Sequence, residues 1–198
     1  GTDLTIVLDK DAIWQSSRTK LKNGKKIICN LPSEEVYTVP NKLGTSGIVY
    51  SSKPLIYNGK KIDKFYLKFE NEKVVTYDAK IGKEILTEML NADKNSSMLG
   101  EVALVEYDSL ISRKNIVFYN TLFDENASCH IALGEGYSSC IKNGNSMSKE
   151  ELENKNVNKS VIHIDFMIGT NDLNIIGYSY DNKKYQIFKN GNFNIKEI

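Results

Sequence analysis

Alternation of apolar and polar residues limits the fold of this chain more than any other feature. It is clearest at residues 4–8, 65–69, 115–119 and 184–188, which are rich in β-branched or aromatic side chains. Successive side chains of a strand point to opposite faces, so a period of two indicates strands with one buried face. We therefore predict a strand at each of these segments.

Two chain reversals connect strands within residues 54–78. Asn58-Gly59 lies between two short apolar runs and is the strongest short-range signal for a two-residue hairpin. Residues 70–72 (Glu-Asn-Glu) separate two further strand-like runs and indicate a second reversal. The stretch from 54 to 78 is predicted to be an antiparallel β-meander.

Two other segments have helical signals. One has apolar residues at helical spacing behind Asp78, a possible N-cap: Ile81, Ile85, Leu86, Met89 and Leu90. The other starts at Ser148 with a capping box and is predicted to reach about Lys155. Several antiparallel strands with a few interspersed helices predict an α+β domain on a curled antiparallel or mixed sheet, or a barrel. Residues 14–25, 40–53 and 120–148 are predicted to be rich in loops.

Composition narrows the classes of protein to consider. Lys plus Arg (26) balances Asp plus Glu (25) and no basic arm occurs, so nucleic acid is not an expected partner. No apolar run approaches the roughly 18 to 20 residues of a membrane span, so no membrane is expected either. With no internal repeat or linker, residues 1–198 are predicted to be a single domain.

The cysteines and the N-terminus bear on the cellular compartment. Cys29, Cys129 and Cys140 are odd in number and not closely paired, which suits free thiols in a reducing environment. The first residues lack the basic and apolar regions of a signal peptide. We predict a cytoplasmic protein.

Both histidines, His130 and His163, lie among other potential metal ligands. His130 is followed by Tyr137, and His163 by Asp165. On a strand over residues 161–168, His163 and Asp165 would share a face about 6 to 7 Å apart at the backbone, within reach of one ion or of two neighbouring ions. The alternatives are an Asp that orients a partly buried His and, for His130, a hydrogen-bonded core residue.

Three acidic residues are further candidates. Glu101 precedes the apolar run 102–105, where an unpaired carboxylate would be costly, although it could also be an exposed strand end. Glu34 and Glu35 are adjacent and do not easily bind the same ion, which leaves one as ligand and the other as a possible base. Alternatively, Ser33 caps a helical turn with early acidic residues.

The position of this acidic pair rests on a predicted strand over residues 26–30 and a turn fixed by Pro32. Several common site motifs do not occur in the chain: Cys-x-x-Cys, His-Glu-x-x-His, a phosphate-binding glycine loop and a Gly-x-Ser-x-Gly elbow. Structural zinc, zincin, nucleotide-binding and serine-hydrolase functions therefore lose support.

Five blocks of sequence resemble a known family across nearly the whole chain. They are residues 30–36 (NLPSEEV), 51–54 (SSKP), 99–105 (LGEVALV), 118–130 (FYNTLFDENASCH) and 163–169 (HIDFMIG). The family is the M29 aminopeptidases, also called thermophilic metalloprotease-like or AmpS-type enzymes. The resemblance implies a two-metal peptidase that removes single residues from peptide N-termini, usually as a cytosolic homodimer.

The resemblance also implies a set of site residues. The family's metal ligands fall on Glu35, Glu101, His130, Tyr137, His163 and Asp165, with Glu101 as the bridge between the ions. Spacing to Glu101 favours Glu35 over Glu34, and Glu34 is then the spare base, while Tyr137 would steady the oxyanion. Zinc or cobalt are the expected ions, and manganese or magnesium also suit such ligands.

One departure from the family pattern leaves alternatives open. Family enzymes carry an additional N-terminal domain of comparable size, and this sequence begins roughly where the metal-bearing half begins. We therefore expect the catalytic half without that domain. The alternatives are a truncated, non-catalytic metal-binding or interaction module, or another dinuclear-metal amidase.

Overall fold

The computed structural model describes residues 1–28, 31 and 33–194. The strands are β1 (Asp3–Leu8), β2 (Arg18–Lys20), β3 (Lys26–Ile28), β4 (Val36–Thr38), β5 (Pro40–Tyr50), β6 (Leu55–Tyr57), β7 (Lys60–Glu70), β8 (Lys73–Ile81), β9 (Leu99–Leu104), β10 (His130–Gly134), β11 (His163–Met167), β12 (Ile175–Tyr178), β13 (Lys184–Lys189) and β14 (Asn192–Phe193). The α-helices are α1 (Lys83–Leu90), α2 (Thr121–Glu125) and α3 (Lys149–Asn154), and 3-10 turns occur at Ser112–Lys114, Ser138–Cys140 and Gly144–Ser146.

Within the described residues, the strands form four sheets. The largest has the order β1-β5-β7-β6, with β8 also paired to β7, and the second has the order β11-β10-β9-β4. Smaller sheets are β12-β13-β14 and β2-β3. Strand pairing is antiparallel throughout the described residues, and the sheets do not close into a barrel there. The α+β prediction agrees with this architecture, whereas its barrel alternative is wrong.

The predicted β-meander is confirmed. Strands β6, β7 and β8 pair consecutively, and Asn58 and Gly59 join the first two with φ values of 49° and 73°. Positive φ at both central residues is the requirement of a type I′ hairpin turn, whose twist matches that of its strands. Asn71 and Glu72, with φ values of 47° and 63°, make the second reversal.

Several predicted loops contain strands. Residues 40–53 hold β5, the central strand between β1 and β7, and the other two predicted loop regions contain β2 and β10. The β5 sequence includes Pro40, Gly44 and Gly47, which weaken a strand in isolation. Gly47 has a φ of 111°, and a Cβ there would lie 2.2 Å from the carbonyl oxygen of Asp3. The glycines of β5 therefore permit close pairing with β1. This effect depends on a partner strand, so the alternation of apolar and polar residues within β5 does not reveal it.

The strand predicted at residues 115–119 is wrong. Asn115 and Tyr119 have positive φ values of 51° and 57°, which interrupt an extended chain. The amide of Phe118 donates instead to the carboxylate of Asp124 at 2.8 Å. This hydrogen bond uses the Phe118 amide, which is then not free to pair with a neighbouring strand, and the segment is largely exposed.

The helix predictions are right in position and differ at two boundaries, the start of α1 and the end of α3. The first helix begins at Lys83 with Gly82 as its N-cap, and Asp78 lies within β8, where it pairs with Lys83 at 3.1 Å. Asp78 is therefore not the cap. The capping box of Ser148 is confirmed, and α3 ends at Asn154, one residue before the predicted end.

The main core lies between the meander, α1 and one face of the β9–β11 strands. Phe65 of β7 packs on Phe166 of β11 with ring centroids 5.2 Å apart, and Ile164 lies in the same cluster. The alternation predicted for β11 is confirmed, because His163 and Asp165 occupy its other face and border a cavity. Burial of one face of this sheet thus places the polar face at the candidate site.

Some predictions fall outside the described residues. Among the described residues Cys129 and Cys140 are free, as predicted, and both are buried; Cys29 is not described. The predicted strand over residues 26–30 is seen only as β3, since Asn30 is not described either, and the predicted turn at Pro32 is not tested. Within the described chain, no helix combines the length and apolar character that crossing a membrane requires.

Candidate metal centre

Three neighbouring strands bring the predicted ligands together. Ala132 of β10 lies directly opposite Glu101 of β9 on one side and Asp165 of β11 on the other. Directly opposed residues of antiparallel strands share a face, with Cβ atoms about 4.5 to 5.5 Å from a neighbour's. Because Ala132 has only a methyl group, the two carboxylates can extend over it toward each other. His130, two residues earlier, lies on the same face, and His163 lies opposite Gly134.

The ligand atoms form two groups that share one carboxylate. Atoms of Glu35, Glu101 and His130 lie within 4.8 Å of one another, and so do atoms of Glu101, His163 and Asp165. Oε1 of Glu101 is 3.6 Å from Nε2 of His130, whereas Oε2 is 3.6 Å from Nε2 of His163. Each oxygen of Glu101 thus faces a different histidine, so this carboxylate could contribute a ligand atom to each group.

Backbone carbonyls orient both imidazoles. Nδ1 of His130 lies 3.1 Å from the carbonyl oxygen of Ser128, and Nδ1 of His163 lies 2.7 Å from that of Glu135. A carbonyl only accepts, so in the neutral ring the proton resides on Nδ1 and Nε2 presents its lone pair to the carboxylates. Metal-binding histidines are commonly oriented by such a second contact.

Two buried atoms have unused bonding capacity that a cation would satisfy. Nε2 of His130 and Oδ1 of Asp165 have no hydrogen-bond partner among the described residues. Nε2 lies 3.1 Å from Oε2 of Glu35, but the two atoms do not meet in hydrogen-bonding geometry. His130 thus has a partner for Nδ1 but none for Nε2 among the described residues. These imidazole and carboxylate donors fit a divalent ion.

The pKa values describe a cluster that holds protons in the absence of metal. Burial lowers the pKa of His130, but Glu101 and Glu35 outweigh it and raise that pKa well above its usual value. Burial also lowers the pKa of His163, but the hydrogen bond and charge of Asp165 outweigh burial and raise that pKa to about 9. Burial raises the pKa of Glu101, and Asp165 adds to the shift. The pKa of Asp165 is lowered, because the two imidazoles outweigh its burial. In the metal-free protein, the positive charges of the two imidazoles thus balance the negative carboxylates, a role that metal ions could take over.

The structure does not show an exposed strand end at Glu101 or a helical turn at Glu34 and Glu35, the two alternatives for these acidic residues. Glu101 lies inside β9 and is 5% exposed, so it is not an exposed strand end. Residues 33–35 form no helical turn for Ser33 to cap, and Oγ of Ser33 has no hydrogen-bond partner within the described part of the chain. Glu35 joins the first ligand group, whereas Glu34 is exposed and does not line the cavity.

Asn126 fixes the segment that carries Glu35. Its side-chain oxygen accepts from the amide of Glu34 at 2.7 Å, and its side-chain nitrogen donates to the carbonyl of Leu122 at 2.9 Å. Asn126 is fully buried. These two hydrogen bonds connect the loop that contains Glu34 and Glu35 to α2. In the sequence, Asn126 is marked only as a member of the family-like block 118–130.

Tyr137 borders the same cavity. Its ring centroid is 4.7 Å from that of His163 and 6.3 Å from that of Tyr37, which it meets edge-on. Burial, followed by the carboxylates of Glu101 and Asp165, raises the pKa of Tyr137. The hydroxyl therefore keeps its proton at neutral pH in the absence of metal and can donate a hydrogen bond.

An open cavity lies over the ligand groups. Its lining residues are Ser17, Glu35, Tyr37, Glu101, Glu125, Tyr137, His163 and Asp165. Ser17, Tyr37 and Glu125 were not among the sequence candidates, since none stands in a ligand-like spacing. His130 lies beneath, 1% exposed. The candidate ligands therefore form the floor of the cavity, and the open space above them can hold solvent or substrate.

The donor set defines a candidate divalent-metal centre, and the family comparison identifies the class of protein as a metalloprotease. The thermophilic metalloprotease (M29) family model matches residues 1–193, and the chain belongs to that family. The family resemblance seen in the sequence is confirmed. Membership of a metalloprotease family implies use of a divalent metal, for which the structure provides two candidate groups.

Individual relatives are named aminopeptidases. Aminopeptidase AmpS of Bacillus subtilis is 49% identical over 193 residues, covering 98% of this chain and 47% of that protein. Aminopeptidase 2 of Geobacillus stearothermophilus is 47% identical with the same coverage of each chain. The solved structure of wild-type AmpT from Thermus thermophilus matches with a TM-score of 0.92 at 35% identity, over 98% of this chain and 48% of that one. The chain spans about half the length of the curated relatives it matches.

Proposed function

We propose that this chain is the metal-bearing part of an aminopeptidase that hydrolyses the N-terminal residue from peptides with two divalent ions. The ligands in this proposal are Glu35, Glu101, His130, Tyr137, His163 and Asp165. The main support is Glu101, whose two oxygens face two separate ligand groups beneath an open cavity. The names of the relatives supply the reaction class.

Ions at these positions would supply an activated water and polarise the scissile carbonyl. The protein's own groups complete the site. Tyr137 acts either as a metal ligand or, with its hydroxyl proton retained, as the hydrogen-bond donor to the oxygen on which negative charge develops. The carbonyls of Ser128 and Glu135 keep both imidazoles aimed at the ions. The prediction that Glu34 is the general base stays untested, and its exposed position favours a role outside the cavity.

Other parts of the proposal follow the family resemblance. Zinc or cobalt are the proposed ions, and manganese or magnesium would suit the carboxylates. The proposed partners are peptides with a free N-terminus and a second copy of the chain in a homodimer, in the cytoplasm. Neither nucleic acid nor a membrane is a proposed partner.

Hydrolysis of leucyl-4-nitroanilide tests the activity. We expect release of leucine with zinc or cobalt, none after removal of metal by a chelator, and recovery when metal is restored. His163→Ala should abolish the release because it removes a ligand of the second group. The N-acetylated substrate is the control, since it lacks a free amine. Chelator-insensitive release, or full activity of the variant, would contradict the proposal.

Proton release on metal binding is a second expected result. At about pH 7 we expect both imidazoles to be protonated in the metal-free protein, because the neighbouring carboxylates raise the pKa of His163 to about 9 and raise that of His130 well above its usual value. Metal binds only the neutral ring, so binding must release protons and apparent affinity must fall as pH falls below these pKa values. Each proton released weakens apparent affinity about tenfold per pH unit.

Calorimetry measures this release. At about pH 7, titration of metal into the metal-free protein should give different heats in two buffers whose protonation enthalpies differ. Apparent affinity should rise between about pH 6.5 and 8.5. Equal heats in both buffers, together with an affinity that does not depend on pH, would rule out the charged imidazoles described above.

A further inference from the structure

The hairpin of β2 and β3 carries a concentration of positive charge that the overall balance conceals. Residues 12–33 contain no Asp or Glu, whereas five cationic side chains lie between positions 18 and 26: Arg18, Lys20, Lys22, Lys25 and Lys26. This segment is an exception to the absence of a basic arm predicted from the sequence. All five side chains are exposed, and none forms an ion pair with a described residue. Their charge is therefore available to a ligand.

Strand pairing gathers these charges on one side of the hairpin. Arg18 and Lys20 are two positions apart on β2 and share a face, and Lys26 of β3 lies directly opposite Lys20. The turn between the strands is closed by the amide of Leu21, which donates to the carbonyl of Lys25 at 2.8 Å. Like charges directly opposite each other destabilise a strand pair. A bound anion would remove this repulsion, so the hairpin favours a negatively charged ligand.

Both ends of the hairpin lead to residues that line the candidate cavity. Ser17, which precedes β2, borders the cavity, and so does Glu35, seven residues beyond the end of β3. The segment before the hairpin is fixed, because the amide and carbonyl of Gln15 pair with the backbone of Tyr37 at 2.8 and 3.0 Å. The side-chain amide of Gln15 also donates to the carbonyl of Ser139 at 2.8 Å. The basic hairpin therefore starts from the rim of the cavity at a defined point.

The length of the hairpin matches a few residues of an extended peptide. A strand rises about 3.3 Å per residue, which places the turn roughly 15 Å beyond Ser17, a distance that about four or five peptide residues cover. A nucleic acid fits less well, because residues 18–28 contain no aromatic side chain on which a base could stack. Carboxylates of a peptide that leads out of the cavity are therefore the negative groups best placed to meet the hairpin.

We propose that the basic hairpin binds acidic side chains of a peptide substrate downstream of the scissile bond, about four or five positions from its N-terminus. This inference rests on the proposed function of the same site. Lys and Arg donate charge-assisted hydrogen bonds to carboxylates, and a field of one sign speeds encounter with ligands of the opposite sign. The cavity itself is lined by carboxylates, which repel an acidic peptide. The hairpin offsets this repulsion and gives the site a preference for acidic sequences.

Two matched peptides test the preference. Leu-Ala-Ala-Glu-Glu-Ala amide and Leu-Ala-Ala-Gln-Gln-Ala amide differ only in two side-chain carboxylates, and the terminal amide excludes a further one. Initial release of leucine by the zinc-loaded protein gives kcat/KM for each peptide. At about 0.02 M salt we expect the acidic peptide to be preferred at least about fivefold, mainly through a lower KM. At about 0.5 M salt the preference should fall below about twofold, because salt screens exposed charges.

A double variant reverses charge on the hairpin, and a second double variant is its control. Lys20→Glu with Lys22→Glu should reduce the preference at low salt to below about twofold. Lys73→Glu with Lys80→Glu reverses two exposed charges on β8, away from the hairpin, and should leave the preference unchanged. Because both variants alter the net charge of the protein by the same amount, a difference between them isolates the local effect of the hairpin.

Several results would overturn the assignment. One is an equal kcat/KM for the two peptides at low salt, and others are a preference that persists in the hairpin variant or is lost equally in the control. Binding of a single-stranded oligonucleotide that depends on the hairpin, without a preference between the peptides, would make it a nucleic-acid surface. Fluorescence anisotropy separates this inference from the proposed activity. If neither peptide is hydrolysed but the acidic one binds more tightly, and the hairpin variant loses this difference, the proposed activity is refuted and this assignment stands.

Discussion

Glu101→Gln is expected to leave at most one bound ion per chain and to lower peptide hydrolysis at least about 1,000-fold. Each oxygen of Glu101 faces a different ligand group, so this one change alters both groups. An amide has one acceptor oxygen and no negative charge, and its nitrogen only donates. Loss of metal assistance worth about 4 kcal/mol at the transition state corresponds to this decrease in rate.

Elemental analysis and initial rates on the same preparations measure the two effects. Glu84→Gln is a suitable control, because Glu84 is exposed on α1 and its carboxylate belongs to neither ligand group. It should keep the wild-type metal content and rate. A Glu101→Gln protein with the full complement of ions and an undiminished rate would show that this residue does not bridge a dinuclear centre.

Part of the site could be predicted from local sequence because one physical rule governs it. Ile164 and Phe166 alternate with His163 and Asp165, and only one face of β11 could enter an apolar core. Burial of the apolar pair therefore sets the direction of the polar pair. The orientation of these two candidate ligands needed no knowledge of the rest of the fold.

The proximity of the ligand groups could not be derived in this way. It depends on β10 lying between β9 and β11, with Ala132 opposite both Glu101 and Asp165. Periodicity reveals that a segment is a strand but not which strands are neighbours. The family resemblance supplied that information, since it named the ligands together. Glu125 was missed because an acid at a helix end has no spacing that distinguishes it from a solvent-exposed residue.

The same limit explains the error at β5. This strand pairs on both sides, yet it contains Pro40 and two glycines that local propensity assigns to loops. Its conformation is imposed by β1 and β7. Where two backbones approach closely at a glycine, the glycine is required because of the partner segment, which can be far away in sequence.

A close approach of this kind occurs at Gly100, beside the candidate metal centre, and Gly100→Ala is expected to destabilise the protein by about 3 kcal/mol or more. A Cβ at this position would lie 2.3 Å from the carbonyl oxygen of Glu135 and 2.4 Å from that of Gly134. Both are backbone atoms, so no side-chain rotation relieves the clash. The Glu135 carbonyl also holds Nδ1 of His163, and the next residue after Gly100 is Glu101.

The added methyl group is therefore expected to displace two ligands at once and to weaken metal binding along with the fold. Denaturant unfolding of the metal-free protein measures the first effect, and metal titration of the folded variant measures the second. Gly177→Ala in β12 is the matched control, since its Cβ would meet only the Ile187 side chain, at 3.2 Å, and a change below about 1 kcal/mol is expected. Equal stability and equal metal affinity in Gly100→Ala and wild type would mean that β9 does not hold the segment at Glu135 this closely. His163 would then owe its orientation to contacts other than this carbonyl.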